Sequence, residues 1–206
     1  MLINIRKIII PRFIRNLKKS HKGTIIIEFA LTFPIMLLLL LGGFETFRLL
    51  MAHRKSNMTV TSVSNLVSQN KTLSSGAIQN IFNAVENIMQ PLELDENGQI
   101  FITYVTGTSG GNVIGLQCKG TSNASIASKI GIEGDEANLD SLPGNFSIAE
   151  SETVVISEVI YHYEPIFVHF GTSQNNNIFT GHDIYQVAVQ KPRYGSITFS
   201  SSTPCP

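Results

Sequence analysis

The chain has 206 residues, 43% hydrophobic and 15% charged, with a formal net charge of zero. That zero hides a segregation: Arg6, Lys7, Arg12, Arg15, Lys18, Lys19 and Lys22 make residues 1–23 wholly basic, and the remainder sets eight basic against fifteen acidic groups, a formal charge of −7. An acidic body argues against nucleic-acid binding, which needs clustered Lys and Arg, and low charge without repeats argues against wholesale disorder.

The first predicted element follows the basic segment. Thr24–Phe44 reads TIIIEFALTFPIMLLLLLGGF, uncharged except for Glu28. As a helix it would be about 31 Å long, the thickness of a bilayer hydrocarbon core. It exceeds a signal-peptide apolar region of roughly 7–15 residues, and LLLLLGGFETF offers no convincing small-residue cleavage site. Positive-inside bias keeps residues 1–23 cytoplasmic and sends the body across the membrane. The expected organisation is a basic leader (1–23), a transmembrane segment (24–44), a helical region beyond the membrane (45–90) and an exported, mainly β domain (91–206). A carboxylate inside an apolar span is expensive and usually marks function, which singles out Glu28. Pro34 bends the helix or is a tolerated membrane proline. Gly42 and Gly43 allow either close helix packing or local unwinding. Glu45 and Arg48 share a helix face and read most simply as a solvated pair.

A basic leader, Gly23, four residues, then Glu28, Phe29 and a long apolar helix resembles a prepilin processing site. More closely, GTIIIEFALTFPIMLLLLLGGFETFRLLMAHR resembles the N-terminal module of TadE-like proteins, the pseudopilins of tight-adherence (Flp) pilus systems. Gly23, Glu28, Phe29, Ala30, Leu31, Pro34, Gly43, Glu45 and Arg48 carry the resemblance, over roughly residues 22–55. It implies a non-enzymatic minor pilin without cofactor or metal. A prepilin peptidase of the bacterial inner membrane would cleave between Gly23 and Thr24, and the partners would be other pilin-like subunits and the pilus assembly platform. Glu28 would then lie one helical turn from the new α-amine of Thr24, and that amine, in the same chain or a neighbour, could partner the buried carboxylate. The alternative is an uncleaved, single-pass anchored envelope-binding domain in which Glu28 is protonated or snorkels to the interface. A secreted protein with an atypical signal peptide is the third reading. The mature N-terminus separates them: Thr24, Met1, or a residue beyond about Gly43.

The apolar helix should continue to about Gln69, since Val60, Val63, Leu66 and Val67 recur at helical spacing. A second helix follows in GAIQNIFNAVENIMQPL, capped by Ser74 or Ser75, with Ile78, Ile81, Phe82, Val85 and Ile88 as its apolar face and Pro91 as its stop. The character then changes to short β-like runs. QIFITYV (99–105) follows a turn, DENG, and TGTSGG joins it to NVIGLQC (112–118). ETVVISEVIYHYEPIF (152–167) is the longest run, and DIYQVAVQ (183–190) alternates. Residues 131–145 and 172–177 read as loops. The fold class is α+β: a long N-terminal helix, a second helix and a small antiparallel sheet. VIYHYEPIF and the late Lys191-Pro192-Arg193 also resemble the TadE-like pattern, less specifically.

No catalytic constellation emerges: GxSxG, a phosphate-binding Gly-Lys-Ser/Thr loop and HExxH are all absent from the sequence. His162, His169 and His182 match no standard zinc spacing. ELDENGQIFITY, with Asp95, Asn97 and Gly98, echoes a calcium loop but has Tyr104 where the closing Glu belongs, so a hairpin turn is the better reading. Cys118 and Cys205 are the only cysteines. An even count in an exported body favours a disulfide tying the tail to the sheet; the alternative is a buried thiol and a free one on the tail.

Overall fold

In the computed structural model the described residues are 23–120, 122, 124–142, 144, 146–166, 181–199 and 205. The chain divides into two compact units, Met1–Thr46 and Phe47–Pro206, and helix α1 (Thr24–Ser68) runs continuously through both, with Pro34 inside it.

In the first unit α1 offers an apolar surface to its surroundings. Ile25 and Leu39 are 72% exposed, and Ile26, Ile27, Leu31, Met36 and Leu40 are nearly as open. The Thr32 hydroxyl donates to the carbonyls of Glu28 (3.0 Å) and Phe29 (3.3 Å), one turn before Pro34. Thr46 does the same to Gly42 (2.8 Å), so the Thr32 and Thr46 hydroxyls are satisfied within the helix. Glu45, expected to be solvated, is 1% exposed and engaged in a polar interaction; burial of a carboxylate demands such a partner.

The second unit is a four-stranded antiparallel sheet covered on both faces. Its strands are β2 (Gly98–Thr108), β3 (Gly111–Lys119), β4 (Thr153–Tyr163) and β5 (His182–Gln190), in the order β3-β2-β4-β5. Alternation assigns the two faces. Ile100, Ile102 and Tyr104 on β2, with Val155, Val159, Tyr161 and Tyr163 on β4, enter one core. Ala52, Val60, Val63 and Val67 of α1 pack into that core, as do Ile78, Ile81, Phe82, Val85 and Met89 of α2 (Ser75–Met89). On the opposite face Val105, Ile114, Val154 and Ile156 meet Ile130, Ala137 and Leu142 from the segment between β3 and β4.

One residue makes this division work. Tyr104 pairs with Leu116 and Val105 with Ile114, so Gly115 is an extra residue, a β-bulge. A regular strand would place Ile114, Leu116 and Cys118 on one face. The bulge sends Ile114 to the loop-covered core, while Leu116 and Cys118 join the helix-covered one.

Ser74 caps α2, its hydroxyl accepting from the Ala77 amide at 3.2 Å. The far end of α2 is held by Lys55 of α1, whose ammonium donates to the Ile88 carbonyl at 2.9 Å, a cation where the helix dipole is negative. The buried face ends on Met89 rather than the expected Ile88, which is only half-buried. Residues of the expected DENG turn form a one-turn helix, α3 (Leu94–Asn97), with Asp95 and Glu96 in its first turn; carboxylates favour that end of a helix. It leads straight into β2, so the expected hairpin turn is not there. The true hairpin, β2–β3, turns on Ser109 and Gly110, with Thr108 opposite Gly111, and Gly111 takes a positive φ of 134°. β4 ends at Tyr163, short of 167. Residues 131–142 form a loop with a 3₁₀ turn at Leu139–Ser141, and residues 172–177 lie outside the described set. The sequence reading missed two short strands, β1 (Thr72–Leu73) and β6 (Thr198–Phe199), which pair in parallel.

Candidate processing and assembly site

Gly23 immediately precedes α1, Thr24 is its first residue and Glu28 follows one turn later on the same face. All three positions are open: Thr24 and Glu28 are exposed and Gly23 is half-exposed. Phe29 is 60% exposed and stacks obliquely on Phe33, with ring centroids 5.4 Å apart. Among the described residues the Glu28 carboxylate has no hydrogen-bond or ion-pair partner. A Cβ added at Gly23, Gly42 or Gly43 would meet no heavy atom within 4 Å, so among the described residues no contact requires these glycines. Residues 1–22 of the expected leader lie outside the described set.

A second group of residues surrounds the first turns of α1 in the second unit. The Arg48 guanidinium lies 5.6 Å from the centroid of the Tyr163 ring, within cation–π range. Tyr163 and His182 have ring centroids 5.9 Å apart, and His53 lies 6.3 Å from His182. His162 and Asp183, opposite each other on β4 and β5, bond through Nδ1 and Oδ1 at 2.6 Å, with Glu164 3.8 Å from Nε2. His162 is thus a paired, half-exposed side chain, and His182 packs on aromatic rings. His169 lies outside the described residues. Among the described residues no group of three or more His, Cys, Asp or Glu is arranged to hold a metal.

Cys118 and Cys205 are joined by a disulfide, with Cα atoms 5.1 Å apart. Cys118 is fully buried, while Cys205 is half-buried against Gln117 of the same edge strand.

Sequence reasoning also missed a buried carboxylate. Glu158 sits on the loop-covered face of β4, wholly inaccessible. Its Oε1 accepts from the Tyr185 hydroxyl (3.0 Å) and the Lys129 amide (3.2 Å), and its Oε2 from the Ser128 hydroxyl. The Lys129 ammonium caps the Tyr185 ring at 4.3 Å. Burial pushes the Glu158 carboxyl above the ordinary carboxylate range, although its hydrogen bonds pull the other way. These bonds clip Ser128 and Lys129, in the segment between β3 and β4, onto the sheet. A Glu in the otherwise apolar run VVISEVIY was the available signal, since a strand covered on both faces must give such a group partners.

No curated protein and no solved structure matches the chain. Residues 23–57 match the family model of TadE-like protein, so the segment carrying Gly23, Glu28 and the apolar part of α1 is TadE-like, consistent with a TadE-like protein of Tad pilus systems.

Proposed function

We propose that this chain is a pilin-like subunit of a tight-adherence pilus system, matured by a prepilin peptidase that cuts between Gly23 and Thr24. The observation that carries the reading is the TadE-like match over residues 23–57, coinciding with a helix long and apolar enough to cross a membrane. Residues 24–44 serve as a single-pass anchor in the inner membrane, the basic leader stays cytoplasmic, and the acidic body works on the far side. Its role is structural, as is general for the family. Gly23 lets the scissile backbone approach the peptidase, and the open surroundings of Gly42 and Gly43 leave room for a neighbouring helix. After cleavage the Thr24 amine and the Glu28 carboxylate form a charge pair within the chain or between adjacent subunits.

Mass analysis of the N-terminus in cells that assemble the pilus tests the reading. The expected mature start is Thr24, and Gly23→Leu should leave the leader attached. An intact leader in assembly-competent cells refutes processing and returns the chain to an uncleaved anchored envelope domain. A start beyond Gly43 makes it a secreted protein. Topology is read separately: a reporter fused after Gln69 should be active only outside the cytoplasm, and cytoplasmic activity would overturn the orientation.

A further inference from the structure

The tail beyond β5 is bound to the body by backbone pairing, ring packing and one covalent bond. The Arg193 amide donates to the Ser68 carbonyl at 2.9 Å, at the very end of α1. Pro192 and Ile197 are buried, Ile197 within the helix-covered core. The Thr198 amide and hydroxyl both donate to the Lys71 carbonyl, at 3.0 and 3.2 Å, and the hydroxyls of Thr72 and Thr198 meet at 3.1 Å. Phe199 stands edge-on against Tyr104, with centroids 4.9 Å apart. Cys205 then bonds Cys118 on the edge strand β3.

The tail therefore starts at one edge strand of the sheet, β5, and is fastened at the other, β3, touching the end of α1 on the way. None of the β2–β3, β2–β4 or β4–β5 ladders uses a tail residue. Among the described residues the non-covalent fastening is local: two residues of parallel pairing, the Arg193 and Thr198 hydrogen bonds, the Lys191–Glu152 ion pair, the buried Pro192 and Ile197 side chains and one aromatic pair. Two-residue pairings and exposed hydrogen bonds are where local opening concentrates.

We infer that the C-terminal strap, residues 191–199 together with Cys205, is a redox-set latch: the disulfide locks it over the end of α1 and β1, and reduction releases it while the four-stranded sheet stays folded. Cys205, partly exposed where Cys118 is fully buried, is the more open end of the bridge. A thiolate of a dithiol reductant attacks it, and the Cys118 sulfur leaves as a thiolate and takes a proton from solvent. The reductant's second thiolate then displaces Cys205 as it closes its own disulfide, so two electrons pass from the dithiol to the bridge. Release uncovers Leu73, Ile197 and the face of Tyr104, an apolar strip beside the end of α1. The body thus has a closed form in an oxidising compartment and an open form in a reducing one. The inference does not depend on the pilin-like reading.

Hydrogen exchange read by mass spectrometry on the full chain in detergent micelles tests it, comparing oxidised protein, protein reduced with dithiothreitol, and Cys205→Ser. On reduction, and equally in Cys205→Ser, the amides of residues 71–73 and 193–199 should exchange at least tenfold faster. The amides of β2 and β4 should stay within about threefold of the oxidised protein. Thiol titration fixes the redox state in each sample. Strap amides that keep the oxidised rate in fully reduced protein would overturn the latch, because docking would then need no bridge. Loss of protection throughout β2 and β4 would overturn it in the other direction, because the bridge would then hold the whole fold.

Discussion

Gly107→Ala should be the most disruptive single-methyl change on the loop-covered side of the sheet. A Cβ at this position would lie 2.2 Å from the Ala149 carbonyl oxygen, 3.0 Å from its carbon and 3.2 Å from Ile148 Cγ2. The nearest obstacle is backbone, and it is tied in place: the Gly107 amide donates to the Glu152 carbonyl and the Ser151 amide to the Gly107 carbonyl, both at 2.9 Å. Ser151 also holds a φ of 64°, which a non-glycine residue adopts only in a tightly determined turn. To reach ordinary contact the turn must withdraw by about 1 Å, straining or breaking one of these hydrogen bonds, worth about 1 kcal/mol net. Overpacking adds roughly 1–3 kcal/mol. A loss of about 3 kcal/mol corresponds to a fall of roughly 6–12 °C in Tm for a chain of this size. Thermal melts followed by circular dichroism on detergent-solubilised protein measure it. Gly115→Ala is the control, because the nearest atom to its Cβ is the Tyr104 carbonyl oxygen at 4.0 Å, and it should melt within about 2 °C of the parent. Equal melting of the two variants would refute the reasoning.

Glu158→Gln should flatten the pH dependence of stability. The folded carboxyl titrates above its ordinary value of 4.5, so the folded state holds this proton more tightly than the unfolded chain. The resulting stability is full below that ordinary value and is lost as pH rises through the raised one; urea melts at a series of pH values should show that decline in the parent and not in the variant. Lys55→Met keeps the aliphatic stem and removes the donor to Ile88, so denaturant melts should show a loss of about 1–2 kcal/mol. On the pilin-like reading, Glu28→Ala and Glu28→Gln should both insert into the membrane and lose their leader, yet fail to co-purify pilin-like partners. Full assembly by cleaved Glu28→Ala protein would remove Glu28 from the mechanism.

The long periodic elements were legible because burial imposes their spacing. The α2 face at Ile78, Ile81, Phe82 and Val85 follows from an apolar period of 3.6, and the four sheet strands from β-branched and aromatic runs bounded by turn residues, with alternation in 183–190. What escaped carries no period. β1 and β6 are two residues each and find each other across 126 positions. α3 hid in an acidic stretch whose Asn-Gly end reads as a turn, although the same Asp95 and Glu96 suit a helix start. In NVIGLQC, strict alternation groups Ile114 with Cys118, and only the glycine between them hinted that the strand changes face. Glu45 looked solvated because charge on a helix surface usually is, and local spacing does not encode its burial. The positions Gly23, Thr24, Glu28 and Phe29 stood out through their resemblance to a processing motif; the fold adds that they are accessible.

The parallel pairing of β1 with β6 has a consequence for how the protein is made. Thr72 and Thr198 are 126 residues apart, and ribosomes add about 5–20 residues per second. Roughly 6–25 seconds therefore pass between synthesis of the first strand and of its only ladder partner among the described residues. During that interval α1 is complete to Ser68, yet the amide of Arg193 that caps it has not been polymerised. A nascent chain stalled or truncated before Arg193 would carry every strand of the large sheet and still leave Leu73 uncovered, a surface on which quality-control proteases and chaperones can tell a finished molecule from an unfinished one.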